Sequence, residues 1–370
     1  MKISRHKKIL VFLLLLFHIF LFIGLYLEGL EPVSKDKNLP AEIIEIKKGE
    51  NLWSIAQKLK EAGIIRNRIV FILEALRKGV HREFKAGEYA LYPWQSLEEI
   101  FEIFKKGKVY LHKVTIFEGA TLWEIAEILE KNNITSRKKF LSLATNEVYV
   151  KKLGFPGPTL EGYLYPETYF FAKDSSPELV IKVMTDKFKE VWRELEPLAR
   201  EKGFSMKEVV TLASIVEKEA FYEDEKPLIA AVYLNRLKKG MPLQADPTIN
   251  YALKKFRRLT YKDYYGVKSP YNTYLHNELP PTPIGNPSKS SMLAVLRPAK
   301  VKYLYFVANG DGRHIFSRTY KEHLAAIAKI RTKESLKENN GTLEGTLEGS
   351  SEEVSSKRSE ASSHTREKLL

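Results

Sequence analysis

An uninterrupted apolar run near the N-terminus constrains this chain more than any other feature of its sequence. Four basic residues lie within residues 1–8, and residues 9–27 contain no Asp, Glu, Lys or Arg. As a helix rising about 1.5 Å per residue, this run is roughly 28 Å long, which matches the hydrocarbon thickness of a bilayer. A cleaved signal peptide is the alternative, but its apolar region has about 7–15 residues and ends at a small-residue cleavage site. Residues 28–32 offer no such site, so the sequence predicts an uncleaved transmembrane anchor.

The charge distribution around this anchor predicts its orientation. Basic residues stay on the cytoplasmic side, so we expect a single-pass protein of the inner (plasma) membrane with residues 1–8 in the cytoplasm and the rest outside. The net charge of +14 would suit nucleic acid, because neutralised phosphates supply most non-specific binding energy. Chromosomal DNA is out of reach in this topology. The net positive charge therefore indicates anionic wall polymers or the membrane surface as partners, and no nucleic acid.

The sequence offers little to metal or thiol chemistry. It contains no cysteine, which excludes disulfides, thiolate metal sites and a cysteine nucleophile. Its eight histidines are scattered without the spacing of metal ligands. We therefore expect neither a metal nor a cofactor.

A segment of the first third of the chain recurs seventy residues later. Each copy has an alternating strand pattern, a glycine (Gly49 or Gly119), a polar N-cap candidate (Asn51 or Thr121) and apolar residues at helical spacing. The apolar positions of the two copies pair at constant offset: Leu52 with Leu122, Trp53 with Trp123, Ile55 with Ile125, Ala56 with Ala126, and Leu59 with Leu129. This duplication predicts two small α/β modules, at residues 41–108 and 110–172.

On residues 46–56, the first module resembles the LysM-like domain, a small βααβ unit. LysM units bind glycans that contain GlcNAc, so the resemblance implies contact with the cell wall. Trp53 and Trp123 stand beside core positions of the two repeats. Two interpretations stay open for them: stacking on carbohydrate, or packing into the protein interior.

The remainder of the chain predicts a helix-rich α+β domain at residues 175–330. Its expected elements are helices at 178–194, 206–220 and 227–237, a loop region rich in Pro, Asn and Tyr at 243–286, and a strand at 303–308. Residues 331–370 have too little apolar content to fold, and we expect them to be disordered. The predicted fold class is α+β, with an N-terminal transmembrane helix, LysM-like α/β modules and this last domain as the catalytic one.

Two carboxylates interrupt the apolar helix predicted at 206–220. Glu217 and Glu219 fall near opposite margins of its apolar face, and spacing does not choose between them. A carboxyl group against an apolar wall has a raised pKa because desolvation disfavours its charged form, and it can then serve as a general acid. The alternative is a glutamate paired with a lysine such as Lys218 or Lys226.

Further distinctive stretches lie at residues 160–169, 212–219, 232–237, 243–248, 269–274, 279–284 and 303–307. In this order and spacing they resemble the YceG-like (MltG) family of endolytic murein (lytic) transglycosylases, and the resemblance covers residues 1 to 330. In that family the catalytic residue is the second glutamate of a Glu-x-Glu pair, which implies that Glu219 is catalytic. Ala220 departs from the family pattern, in which Thr or Ser follows that residue.

The resemblance also implies a mechanism. Protonated Glu219 would donate to the oxygen that links MurNAc to GlcNAc, through an oxocarbenium-like transition state. The resulting carboxylate would then take the proton of the MurNAc C6 hydroxyl, which closes on C1 as a 1,6-anhydro ring. The family works on nascent glycan strands beside the peptidoglycan synthases, so termination of strand elongation and a synthase partner are implied as well.

Other polar and aromatic residues are candidates for substrate contact. Gln244, Asp246, Tyr271, Asn272 and Tyr274 carry groups that could hold sugar hydroxyls and N-acetyl groups. Each could instead shape a turn or loop.

Glu161 and Tyr163 complete the predicted substrate-binding set. Glu161 and Glu167 also rival Glu219 for catalysis, and only the family resemblance ranks Glu219 above them. Two other functions remain open. A hydrolytic muramidase would need a second carboxylate, conceivably Asp246, and a wall-binding scaffold would need no catalytic group.

Overall fold

The computed structural model describes residues 5–332, which form two compact units. Within the described range, the first unit comprises residues 5–116, 123–143 and 167–182, and the second comprises residues 117–122, 144–166 and 183–332. Residues 320–332 are helical, and the predicted disorder of the tail otherwise falls outside the described residues. The observed helices and short two-stranded sheets confirm an α+β fold that is rich in helix.

The first helix, α1, spans Arg5–Leu30 and includes the whole predicted apolar run. Between residues 5 and 332 it is the one helix that is long and apolar enough to cross a membrane. It starts earlier than predicted because the basic residues before position 9 continue the helix. Its last turn ends against the first unit, where Gly29 is buried.

The first unit contains most of two strand–helix–helix–strand arrangements, and the second of these is interrupted before its last strand by residues 144–166 of the second unit. The elements of the first are β1 (Glu42–Ile46), α2 (Leu52–Glu61), α3 (Arg68–Arg77), a 3-10 turn (Val80–Arg82) and β2 (Gly87–Leu91), followed by α4 (Leu97–Lys106). Those of the second are β3 (His112–Thr115), α5 (Leu122–Lys131), α6 (Arg137–Ala144) and β4 (Thr168–Phe171). β1 pairs antiparallel with β2, and β3 pairs antiparallel with β4.

The duplicated sequence signals have matching local structures. Gly49 and Gly119 adopt φ of 76° and 75°, a left-handed conformation that glycine reaches without strain. Asn51 caps α2 as predicted, with its side-chain oxygen accepting from Ser54 N at 2.8 Å. Trp53 is half exposed beneath the Arg68 guanidinium. The order of elements agrees with a βααβ unit, and the resemblance to LysM stays a prediction.

The second unit is built mainly from helices. Its elements are α7 (Glu147–Lys152), most of α8 (Pro177–Lys202), α9 (Met206–Glu219), a 3-10 turn (Glu223–Glu225), α10 (Lys226–Lys238), α11 (Asp246–Leu253), α12 (Tyr261–Gly266), α13 (Lys289–Leu296) and the hairpin of β5 (Tyr305–Ala308) and β6 (His314–Ser317). α9 packs against both α10 and α13, and residues 209–216 are buried without interruption. Ser205 and Glu208 form a capping box that fixes where α9 begins.

The turn at Gly162 provides a test of packing in the second unit. Gly162 has φ of 90°, and a Cβ there would lie 2.5 Å from Pro283 Cγ and 2.8 Å from Val210 Cγ1. Gly154 has a similar φ of 85° but open space around it. We expect Gly162→Ala to lower stability by about 1–3 kcal/mol more than Gly154→Ala, because both variants share the backbone strain and only one overpacks. Equal losses of thermal stability for the two purified variants would contradict this packing.

Candidate active site

Glu219 is the last residue of α9 and lies where the chain leaves the helix. Ala220 has extended backbone angles, which end the helix at this point. Because residues 209–216 are buried, the helix cannot shift to move the carboxyl group. Glu219 nevertheless keeps partial solvent exposure, in contrast to residues 209–216. Packing therefore anchors the end of the helix, while Glu219 as a residue keeps some exposed surface.

Glu217 and Glu219 have different environments, which the sequence could not reveal. Glu217 forms an ion pair with Lys226 at 3.0 Å, and both side chains are almost fully buried. It also accepts hydrogen bonds from Ser288 N at 2.7 Å and from Ser288 Oγ at 2.5 Å. Glu217 therefore fits the lysine-paired interpretation. Glu219 instead accepts a hydrogen bond from Tyr233 OH at 2.8 Å.

The surroundings of Glu219 favour its protonated form. Desolvation raises its pKa from 4.5 to about 7, the hydrogen bond from Tyr233 opposes this rise, and the charge of Asp246 adds to it. The negative end of the α9 dipole acts in the same direction, because it disfavours an anion at a helix C-terminus. A carboxyl group with a pKa near neutrality can both release and recover a proton.

Asp246 and Tyr274, two of the predicted substrate-contact residues, lie together beside Glu219. Tyr274 OH donates to Asp246 Oδ1 at 2.6 Å, and Tyr264 OH donates to Asp246 Oδ2 at 3.2 Å. The rings of Tyr264 and Tyr274 are 4.6 Å apart. Asp246 begins α11 and is partly exposed. Its two carboxylate oxygens are therefore held by two tyrosines while its charge acts on Glu219.

Gln244 lies on the loop that leads into Asp246. It is exposed, and its backbone has a φ of 54°, which is uncommon for a residue other than glycine. The buried guanidinium of Arg236 donates to Leu243 O at 2.7 Å and to Gln244 Oε1 at 3.2 Å. Arg236 thus fixes the loop conformation and leaves Gln244 facing solvent.

Three predicted substrate-binding residues are buried and bonded within the protein. Asn272 donates from Nδ2 to Tyr264 O and Val267 O, each at 2.9 Å. Tyr163 OH donates to Pro156 O at 3.1 Å. Together with Glu161 they have at most 1% of their surface exposed. The structure therefore gives them no surface for sugar contact, in contrast to the sequence prediction.

Glu161 joins three separate segments of the second unit. Its oxygens accept from Leu122 N at 3.1 and 3.2 Å, from Tyr251 OH at 3.0 Å and from Asn286 Nδ2 at 3.3 Å. Tyr271 is partly exposed, and its ring contacts the ring of Tyr251 in a tilted arrangement with the centroids 4.9 Å apart. Glu161 thus lies inside a polar network. The other rival, Glu167, is an exposed residue of the first unit.

Sequence reasoning did not assign Tyr233, Tyr264 or Arg236 to the site. Tyr233 and Arg236 lie in the distinctive stretch 232–237, and this position is the sequence signal that could have assigned them to the site. Their contacts join positions that have no periodic relation to Glu219, so only the tertiary structure reveals them. Among residues 5–332, no group of three or more His, Cys, Asp or Glu side chains is arranged to hold a metal ion.

Comparison with known proteins is consistent across sequence and structure. The family model of the YceG-like family matches residues 44–329. An endolytic murein transglycosylase of Bacillus subtilis (strain 168) is 36% identical, over 83% of this chain and 90% of that protein. A protein of the same name from Streptococcus pneumoniae serotype 2 is 28% identical, over 88% of this chain and 65% of that protein. The crystal structure of a yceG-like protein from Listeria monocytogenes superposes with a TM-score of 0.54 at 34% identity, covering 79% of this chain and 99% of that one.

The raised pKa of Glu219 predicts a pH-dependent gain in stability for Glu219→Gln. The folded wild-type protein binds this proton more tightly than the unfolded chain, so it loses stability as pH rises from 4.5 to about 7. The glutamine variant does not titrate. We compare the free energy of unfolding of the variant with that of wild type at two pH values. We expect the difference, variant minus wild type, to be about 1–3 kcal/mol larger at about pH 8 than at about pH 4. A difference that is the same at both pH values in denaturant titrations would contradict the raised pKa.

Proposed function

Because the chain belongs to the YceG-like family, we propose that it is a lytic transglycosylase that acts on peptidoglycan, with Glu219 as its acid and base. The observation that carries the proposal is the position of this carboxyl group without a cationic partner among residues 5–332. It ends a buried helix, has a pKa raised to about 7 and remains partly open to solvent. The relatives named endolytic murein transglycosylase support the reaction class.

The proposed reaction needs one carboxyl group in two successive roles. Protonated Glu219 donates its proton to the oxygen between MurNAc C1 and GlcNAc, and this C–O bond breaks through an oxocarbenium-like transition state. The Glu219 carboxylate then accepts the proton of the MurNAc C6 hydroxyl, whose oxygen bonds to C1. The products are a GlcNAc hydroxyl end and a 1,6-anhydro-MurNAc end. Atoms balance without water, and Glu219 regains its starting form.

The neighbours of Glu219 have supporting roles in this proposal. Tyr233 orients the carboxyl group through its hydrogen bond, and Asp246 keeps the proton on Glu219 by its negative charge. Gln244, Tyr271 and Tyr274 retain partial exposure and are the proposed sugar contacts. The buried Glu161, Tyr163 and Asn272 hold the surrounding loops instead.

The proposed setting is the outer face of the plasma membrane. We take α1 as the anchor, with its basic N-terminal end in the cytoplasm, and the chain after α1 as lying outside. Cleavage inside nascent glycan strands would terminate their elongation beside the peptidoglycan synthases. The two modules of the first unit would bring GlcNAc-containing strands to the enzyme if they bind glycan as LysM units do.

A hydrolytic muramidase is the second candidate, because Asp246 supplies another carboxylate near Glu219. In a hydrolase that carboxylate would activate water or attack C1. Here both of its oxygens accept hydrogen bonds from tyrosine hydroxyls, so each already has a partner within the protein. A wall-binding scaffold is the third candidate and would bind glycan equally well without Glu219.

Digestion of purified sacculi by the full-length protein tests the assignment. We expect Glu219→Gln to lose at least about 10²-fold in cutting rate, because the variant has no proton to donate. Glu217→Gln is the matched control: we expect lower stability, since its ion pair with Lys226 is weakened, but retained cutting per folded molecule. Full activity of Glu219→Gln would rule out Glu219 as the acid. Mass spectrometry of the ends distinguishes anhydro-MurNAc from the hydrolytic product, which is heavier by one water.

Two conservative variants should move the pH profile in opposite directions. Cleavage requires protonated Glu219, so kcat/KM falls as pH rises through its pKa of about 7. Asp246→Asn removes a charge that raises this pKa, and we expect the falling limb to move to lower pH by roughly one unit. Tyr233→Phe removes a hydrogen bond that lowers the pKa, and we expect the limb to move to higher pH. If both variants kept the wild-type limb, Glu219 would not be the titrating group.

A further inference from the structure

An apolar stripe on α3 faces solvent in the first unit. Ile69, Leu73 and Leu76 recur at helical spacing and are 43%, 39% and 50% exposed. The opposite side of α3 packs in the core through Phe71 and Ala75, which are completely buried. The fold of the unit therefore accounts for one face of this helix and leaves the apolar stripe without a role.

The last turn of α1 packs directly beside this stripe. Gly29 lies so close to Val70 that a Cβ on Gly29 would be 2.6 Å from Val70 Cγ2. Tyr26 OH donates to the Glu74 carboxylate. Val70 and Glu74 each follow a stripe residue by one position, and successive helical residues are about 100° apart around the axis. The stripe is therefore adjacent to the face of α3 that contacts α1.

The contact of Tyr26 sets the height of α3 relative to a bilayer. Tyr26 lies inside the apolar run that ends at position 27, so α3 packs against the last turn of that run. Arg66 donates to Pro32 O at 2.8 Å and to Val33 O at 3.2 Å, which ties the segment after α1 to the same unit. If α1 spans the membrane, α3 must lie at the boundary between acyl chains and headgroups.

The polar and aromatic residues around the stripe suit this boundary. Arg68 and Arg77 stand at the two ends of α3, and the Arg77 side chain stays 64% exposed although it pairs with Glu74 at 2.7 Å. Exposed basic groups at this position suit anionic headgroups. Trp53, half exposed, stacks under Arg68 at 4.6 Å. Tryptophan beside basic residues is typical of side chains at a membrane interface.

We propose that α3 lies on the outer leaflet of the membrane that α1 spans, with Ile69, Leu73 and Leu76 inserted at the acyl boundary. The proposal rests on the proposed anchor but not on the enzymatic activity. It means that the first unit is docked on an anionic lipid surface and is not free on a tether.

The natural absence of cysteine allows a direct test in the full-length protein. Single-cysteine variants Leu73→Cys and Phe170→Cys are labelled with an environment-sensitive fluorophore and reconstituted in vesicles that contain phosphatidylglycerol. Phe170 on β4 is the matched control, because it is also exposed, at 59%, and belongs to the same unit. We expect a nitroxide attached to lipid to quench the probe at position 73 severalfold more than the probe at position 170. We expect aqueous iodide to show the reverse order.

Equal quenching of the two probes by the lipid nitroxide would overturn the proposal. Shielding of the position 73 probe from both quenchers, with self-quenching between copies, would also overturn it and would indicate a second copy as the occupant. Alkaline carbonate extraction of the same vesicles tests the anchor separately. Protein that is retained without lipid quenching contradicts the docking alone, whereas extracted protein contradicts the anchor. Cleavage of sacculi by the same samples is independent of both results.

Discussion

The uninterrupted burial of α9 determines the geometry of the second unit. Residues 209–216 are enclosed on all sides, with α10 and α13 packed against the helix. Ser214 Oγ accepts a hydrogen bond from Ile284 N at 3.0 Å, which attaches the loop after position 279 to the same helix. A buried helix of this kind cannot rotate or slide without opening cavities. Packing of the helix therefore fixes the position of Glu219 at its end.

The two glutamates near the end of α9 show how one helix can place two carboxyl groups in opposite electrostatic environments. Glu217 is almost fully buried, and it is compensated by Lys226 and by two hydrogen bonds from Ser288. Removing either partner of such a pair leaves an uncompensated charge, so the pair stabilises the fold only as a unit. Glu219 has a tyrosine hydroxyl in place of a cation, and its surroundings favour the neutral form. The difference lies in the partners, since both residues share the same helix.

The sequence predicted α9 and α10 well, but the loop region predicted at 243–286 contains α11 and α12, and the contacts were predicted poorly. Helical spacing located α9 and α10 to within one residue at each end, and the seventy-residue repeat corresponds to the two strand–helix–helix–strand arrangements. The helix predicted at 178–194 extends to Lys202, because Pro197 is accommodated inside α8. Burial of Glu161 and Asn272 was not predictable, since their partners lie up to 125 positions away or in loops without periodicity. Acidic and amide side chains look the same in sequence whether they face a ligand or the interior.

The state of Asp246 bears on the choice between lyase and hydrolase. A hydrolase needs a second carboxylate that is free to deprotonate water or to attack the sugar. Asp246 accepts from Tyr274 and Tyr264, so each of its two oxygens already has a partner within the protein. Its negative charge raises the pKa of Glu219, so it helps to hold a proton on that carboxyl group. An intramolecular acceptor such as the C6 hydroxyl of MurNAc needs no water to be activated. The proposed ring closure by the sugar itself therefore requires no second carboxylate that is free of protein contacts.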